Sequence, residues 1–141
     1  MTMMMRRQMM QQAAAEPYTA LDQFSTWIEK KSIQGNGNVA SNNDVMYCDA
    51  YLDVSEYAQS GYLVFEDRTD NNGFFVGAGF YKSDKSWKSR NAFISGSPTL
   101  KVSIPSDAVY FRILLVYKIN GTAVTATVAN VPLDKLFIKH N

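Results

Sequence analysis

Apolar and polar residues alternate with a period of two through most of the chain beyond residue 45, and that period predicts β-strands. Met46, Cys48, Ala50, Leu52 and Val54 fall on one face of an extended run, and Tyr47, Asp49, Tyr51 and Asp53 on the other. Gly61 to Glu66 reads as a short apolar strand. Asp70-Asn-Asn-Gly73 reads as a hairpin-like turn into a strand from Phe74 to Tyr81. Leu100, Val102 and Ile104 alternate with Lys101 and Ser103 before Pro105-Ser-Asp107 makes a corner. Ala108 to Ile119 is the most apolar segment and predicts a central strand. There Phe111, Ile113, Leu115 and Tyr117 alternate with Tyr110, Arg112, Leu114 and Val116, so both faces are at least partly covered. Asn120-Gly121 predicts a two-residue hairpin, since both residues accept the positive φ of a type I′ turn. Thr122 to Val128 returns, and Leu133 to Ile138 makes a last strand after Pro132. About eight strands with turns every eight to twelve residues predict an antiparallel sandwich or barrel.

The first 45 residues read differently. Met, Gln and Ala dominate residues 1–16, with one basic pair, and these are good helix formers. The segment reads as an arm over 1–17, helical or extended, attached to a domain over 18–141. Such a short helix is marginal alone, but Met packs readily into irregular grooves. Met5, Arg6, Arg7, Met9 and Met10 are therefore docking candidates, with an unstructured start as the alternative. A secretory leader fits poorly, because Gln8, Gln11 and Gln12 interrupt the apolar stretch that a leader needs. Thr19-Ala-Leu-Asp22 has the form of a helix start and predicts a short helical turn before about residue 25, then a strand. Gln34 to Asn38 and Ser41 to Asp44 are polar turns.

Composition narrows the function classes. Eight Tyr, eight Phe and two Trp in 141 residues favour strands and flat contact surfaces. The net charge is +1 and no basic block exceeds a pair, so nothing points to nucleic acid. The sequence lacks the run of about eighteen apolar residues expected of a membrane span. One cysteine, Cys48, forbids an intrachain disulfide framework. The catalytic inventory is thin: Cys48 and His140 are the only thiol and imidazole, and His140 is expected at a mobile end. Glu66 and Asp67 are adjacent in a strand, so they point to opposite faces. The reading is of a protein that binds or assembles and does not catalyse.

Four stretches carry a resemblance. Tyr51-Leu-Asp-Val-Ser-Glu-Tyr57, Gly79-Phe-Tyr-Lys-Ser-Asp-Lys85, Ala92-Phe-Ile-Ser-Gly96 and Ile104-Pro-Ser-Asp-Ala-Val-Tyr-Phe-Arg112 occur in that order. Together they resemble the galactose-binding-like, or carbohydrate-binding-like, jelly-roll module of phage head-fibre, tail and baseplate proteins, which also occurs in bacterial surface proteins. The match covers roughly residues 45–118. It departs from the pattern at Lys82, where an Asp often follows Phe-Tyr, and in a longer, more basic loop from Lys82 to Arg90. The resemblance implies an all-β jelly-roll sandwich in a virion. Such a domain would be docked to other virion proteins through the arm, homo-oligomeric, and directed at a cell-surface glycan. A stand-alone carbohydrate-binding module of a bacterial surface protein, or an assembly adaptor without ligand, are the alternatives. No cofactor is expected. Modules of this kind sometimes hold a structural calcium, for which Asn42, Asn43 and Asp44 offer oxygens, against the reading of an ordinary polar turn.

A sugar site needs an aromatic platform with polar arms around it. Phe75, Gly77, Gly79 and Tyr81 share one face of their strand, and the glycines leave space between two rings. Trp87 stands in a polar stretch read as a loop, with Asp84, Lys88 and Arg90 beside it. These six residues, Phe75, Tyr81, Asp84, Trp87, Lys88 and Arg90, are the glycan-contact candidates; the alternative places Phe75 and Tyr81 in the core and Trp87 as a plug. Arg112 lies in an apolar strand and either crosses to solvent or pairs with a carboxylate, because an unpaired buried charge is too costly.

Overall fold

A computed structural model describes residues 16–141, and the candidate docking residues Met5, Arg6, Arg7, Met9 and Met10 lie outside them. The chain is all-β and antiparallel. Its strands are β1 Tyr18–Ala20, β2 Trp27–Ile28, β3 Lys31–Ile33, β4 Val39–Ser41, β5 Met46–Cys48, β6 Leu52–Asp53, β7 Tyr62–Asp67, β8 Phe74–Tyr81, β9 Trp87–Arg90, β10 Thr99–Ser103, β11 Tyr110–Ile119, β12 Thr122–Ala123 and β13 Leu136–Lys139. Single helical turns occur at Leu21–Gln23, Val54–Tyr57 and Leu133–Lys135. A four-stranded sheet runs β1-β13-β7-β10. A larger one runs β2-β5-β11-β8-β9, with β6 and β12 also on β11, and β3-β4 form a separate hairpin.

The alternation in β11 decides which residues make the core. Phe111, Ile113, Leu115 and Tyr117 stand opposite Phe80, Ala78, Val76 and Phe74 of β8, and all eight face inward. They meet Leu63, Phe65, Leu100, Val102, Leu136 and Ile138 of the four-stranded sheet in one continuous core. Phe65, Phe74, Phe80 and Phe111 are completely buried, and each such ring contributes roughly 2–3 kcal/mol. The Asn120-Gly121 hairpin closes as its sequence predicts, with φ of 51° and 79°.

Several expectations change. The run from Met46 to Val54 is not one strand: Val54 opens a helical turn, and the ladder on β11 breaks after Cys48. Tyr47 stands opposite Leu114 and Leu52 opposite Phe111. Five steps on one strand thus match three on the other, and two extra residues bulge out around Asp49, Ala50 and Tyr51. Asp70 to Gly73 is a turn, but it joins strands of different sheets and so closes no hairpin. The carboxylate of Asp67 holds this crossing, accepting from Thr69 N, Thr69 Oγ1 and Phe74 N at 2.9, 2.5 and 3.1 Å. Glu66, its neighbour, faces outward and pairs with Arg68 at 2.6 Å. The return after Gly121 ends at Ala123, and a helical turn replaces the first half of the predicted last strand. Tyr18–Ala20, expected before or within a helix start, pairs with β13 instead; the helical turn follows it. His140 is not at a loose end, since its amide donates to Pro17 O, and Asn141 bonds to Glu56 O, Ser55 O and Gln59.

Candidate functional site

The outward face of β8 and β11 carries the residues of interest. Cross-strand pairing sets Tyr110 beside Tyr81, Arg112 beside Gly79, Leu114 beside Gly77 and Val116 beside Phe75. The glycine–side-chain pairs leave two shallow sites on this face, and both are filled from outside. An added Cβ at Gly79 would lie 2.9 Å from the indole of Trp87, and one at Gly77 would lie 3.4 Å from the ring of Phe93. The space read from the glycines therefore belongs to the protein's own side chains.

Trp87 is a clamp. It opens β9, contrary to its expected place in a loop, and pairs with Tyr81 with their rings edge-on at 5.3 Å. The β3-β4 hairpin folds over it: the Trp87 Nε1–H donates to Gly35 O at 3.1 Å, and Gly37 lies so close that a Cβ would stand 2.7 Å from the indole. Arg90 adds a second tie, donating from Nη1 to Ile33 O at 2.9 Å. Under the hairpin Ile33, Val45, Tyr47 and Leu114 form a small second core on the outer side of the sheet.

The other candidates disperse. Phe75 sits six residues along β8 from Tyr81, about 20 Å away. Its partner is the ammonium of Lys118, 4.4 Å from the ring centre, beside a depression lined by Asn71, Asn72, Asn120 and Gly121. Asp84 organises the β8-β9 turn, accepting from Ser86 N at 2.9 Å and Ser86 Oγ at 2.6 Å; these bonds hold its carboxyl below the usual range. Lys88 lies where β9 and β8 slip register, partly buried. Asn42 Oδ1 accepts from Asp44 N, forming a polar turn, and no three His, Cys, Asp or Glu side chains gather among the described residues.

A denser cluster lies at the Tyr81 end, and the bulge after Cys48 builds it. Tyr51 packs edge-on to Tyr81 at 4.8 Å and near Tyr110 at 6.3 Å. The Arg112 guanidinium lies 4.0 Å from the centre of Tyr51 and 5.5 and 5.8 Å from Tyr81 and Tyr47. It pairs with Asp49 at 3.3 Å, and its side chain is 15% exposed. Its buried Nε–H has no acceptor, and three tyrosine rings lie within cation–π range of the guanidinium. Burial pushes the Tyr81 hydroxyl up, against the pull of Arg112 in the other direction. Lys85 reaches in from the β8-β9 turn, its ammonium 5.2 Å from Tyr51 and 5.3 Å from Tyr110. The turn gives Lys85 a φ of 66°, where glycine is the unstrained choice.

Of the sequence candidates, only Tyr81 and Trp87 join this cluster. Tyr51, Tyr110, Lys85 and Asp49 were not among them, although Tyr47, Asp49, Tyr51 and Asp53 stood out as the polar-aromatic face of a strand. That alternation was the available signal. A groove of about 540 Å³ also runs between Phe24, Trp27, Val131 and Leu133, flanked by Asp22 and Asp134, but its floor is largely an extension of the main core. No family model, curated protein or solved structure matched the chain.

Proposed function

We propose that the chain is a jelly-roll binding module carried on a phage virion, as a head fibre, capsid decoration or tail or baseplate accessory, and that it contacts host-surface glycans without catalysis. The observation that carries the glycan reading is the surface cluster of Tyr51 and Tyr110 with Lys85, Arg112 and Asp49 around them. Sugars offer an apolar face to a ring and hydroxyls to charged arms, and this cluster supplies both. Two antiparallel sheets on a shared core, with the chain crossing between them at Asp70–Gly73 and at Pro105–Asp107, support the jelly-roll reading. The virion setting rests on the four-motif resemblance, and within it residues 1–17 dock the domain and copies associate with one another.

The non-catalytic reading is supported by the placing of the two most reactive side chains. Cys48 is buried in the core with its thiol pushed up by burial, and His140 lies at the far end of the chain against Asn141. A glycan array probed with the full chain tests the binding half. A glycan class retained by the native chain and lost in Tyr51→Ala and Tyr110→Ala, with circular dichroism unchanged, supports it. An array that retains nothing leaves an assembly adaptor without ligand. Antibody detection of the chain on purified particles tests the setting, and its absence from particles refutes it.

A further inference from the structure

The chain contains three Asn-Gly pairs, Asn36-Gly37, Asn72-Gly73 and Asn120-Gly121. In such a pair the glycine backbone nitrogen can attack the asparagine Cγ, because the glycine has no Cβ to shield it. A C–N bond closes a succinimide ring and the Cγ–Nδ2 bond breaks. The side-chain nitrogen leaves as ammonia, taking up the proton that the glycine nitrogen gives off. Water then opens the ring at either carbonyl and leaves aspartate or isoaspartate. The three pairs share this chemistry, so the fold decides which of them reacts. The glycine nitrogen must be free, and the asparagine side chain must be able to turn toward it.

Two pairs are held. Gly37 N donates to Gln34 O at 2.9 Å, and Asn36 Oδ1 accepts from Asn38 N at 2.9 Å, which folds the side chain onto the wrong amide. Gly37 is also pressed against the Trp87 indole. Gly73 is buried, and its N–H donates to Asn71 Oδ1 at 3.2 Å. Its carbonyl accepts from Lys118 N at 2.8 Å, which pins the same residue from the other side. Having to break one such bond first slows a site by about tenfold, equivalent to about 1.4 kcal/mol.

Asn120-Gly121 is free on each count. Both residues are exposed, and neither the Asn120 side chain nor the Gly121 N–H has a hydrogen-bond partner among the described residues. The turn must still rotate for the nitrogen to reach Cγ. Only two ladder rungs resist that, Ile119 with Thr122 and Lys118 with Ala123, at the end of a two-residue strand.

We propose that Asn120 is a self-modifying site, at which the folded chain deamidates ahead of its other two Asn-Gly pairs. The product places a carboxylate in the depression that Lys118 and Phe75 also line, and lowers the net charge of +1 by one. Isoaspartate also routes the main chain through the former side chain. The added carbon lengthens a two-residue turn, and the β11-β12 rungs lose their register.

The test incubates the full chain at pH 8 in water labelled with heavy oxygen and maps its peptides by mass spectrometry. A parallel sample is unfolded in guanidinium chloride. In the native chain the Asn120 peptide is expected to take up label at least about tenfold faster than the Asn36 and Asn72 peptides, as aspartate and isoaspartate together. In denaturant the three rates are expected to converge, since glycine follows each asparagine. Native conversion at Asn36 or Asn72 as fast as at Asn120 overturns the proposal. So does a native Asn120 that stays intact while all three sites react in denaturant, or a rate order that denaturant leaves unchanged.

Discussion

Trp87→Ala separates a clamp from a ligand contact, and its magnitude follows from the contacts. The indole is partly buried between Gly37 and Gly79, lies edge-on to Tyr81, and donates one hydrogen bond to Gly35 O. Truncating a buried tryptophan costs about 3–5 kcal/mol, so partial burial leaves about 2–3, including roughly 1 for the hydrogen bond. Gly37→Ala acts on the same contact from the other side. Its φ of +87° costs about 1–2 kcal/mol for any side chain, and the new Cβ would stand 2.7 Å from ring atoms near the root of the indole, which cannot swing away cheaply. In a Trp87→Ala background the 2.7 Å clash with the ring vanishes, and the backbone cost remains beside a tight 3.1 Å approach to the Cβ of residue 87. The double mutant should therefore be about 1–2 kcal/mol more stable than the two single losses predict when added. Urea unfolding followed by far-ultraviolet circular dichroism measures all four corners of the cycle. Hydrogen exchange at Lys31 and Gln34, whose amides bond to Val45 O and Asn38 O, reports on the hairpin itself. A Trp87→Ala protein within 0.5 kcal/mol of the native one, with those amides still protected, would refute the clamp.

Three further outcomes follow from single residues. Asp67→Ala leaves three donors at the sheet crossing without their acceptor and is expected to cost about 2–4 kcal/mol in urea unfolding; a loss under 1 would show that the crossing is held by packing. Thr26 has a φ of 67°, strained for a β-branched residue, so Thr26→Gly should raise stability by about 0.5–1 kcal/mol; a loss would mean that the hydroxyl and methyl contribute more than the strain removes. Cys48 should resist a thiol reagent at pH 8 until urea is added. Because burial raises its thiol above the ordinary 9.0, the unfolded chain ionises first, and stability present below about pH 9 should fall as pH rises through the folded value. Immediate labelling of the native chain would contradict that burial.

Strand positions were legible wherever one residue in two is apolar and the partner strand runs in register. β8 and β11 follow from their long, nearly unbroken apolar runs bounded by turns, and the turn at Asn120-Gly121 from the backbone freedom of two residues. The bulge after Cys48 was not legible, because alternation continues through it: two extra residues restore the same parity on the far side. Nothing in residues 46–54 marks where the ladder breaks, yet the break is what swings Tyr51 over Arg112. The carboxylate partner expected for Arg112 was readable from desolvation, though its identity as Asp49 was not. Trp87 misled for a different reason. Its polar neighbours look like a loop, whereas its partners, Gly35 and Gly37, are fifty residues away and glycines leave no hydrophobic trace.

The hairpin over Trp87 has a consequence for how copies of this domain can lie against one another. By covering Leu114 and Tyr47 it makes the middle of the larger sheet a buried layer with protein on both sides. A neighbour that stacks flat on a sheet is left with the outer face of β1-β13-β7-β10, where Tyr62 is 40% exposed and Arg68 lies over Phe137. The two broad sides of the domain are thus unequal: the β3-β4 hairpin covers the middle of one, while on the other Tyr62 stays open to solvent.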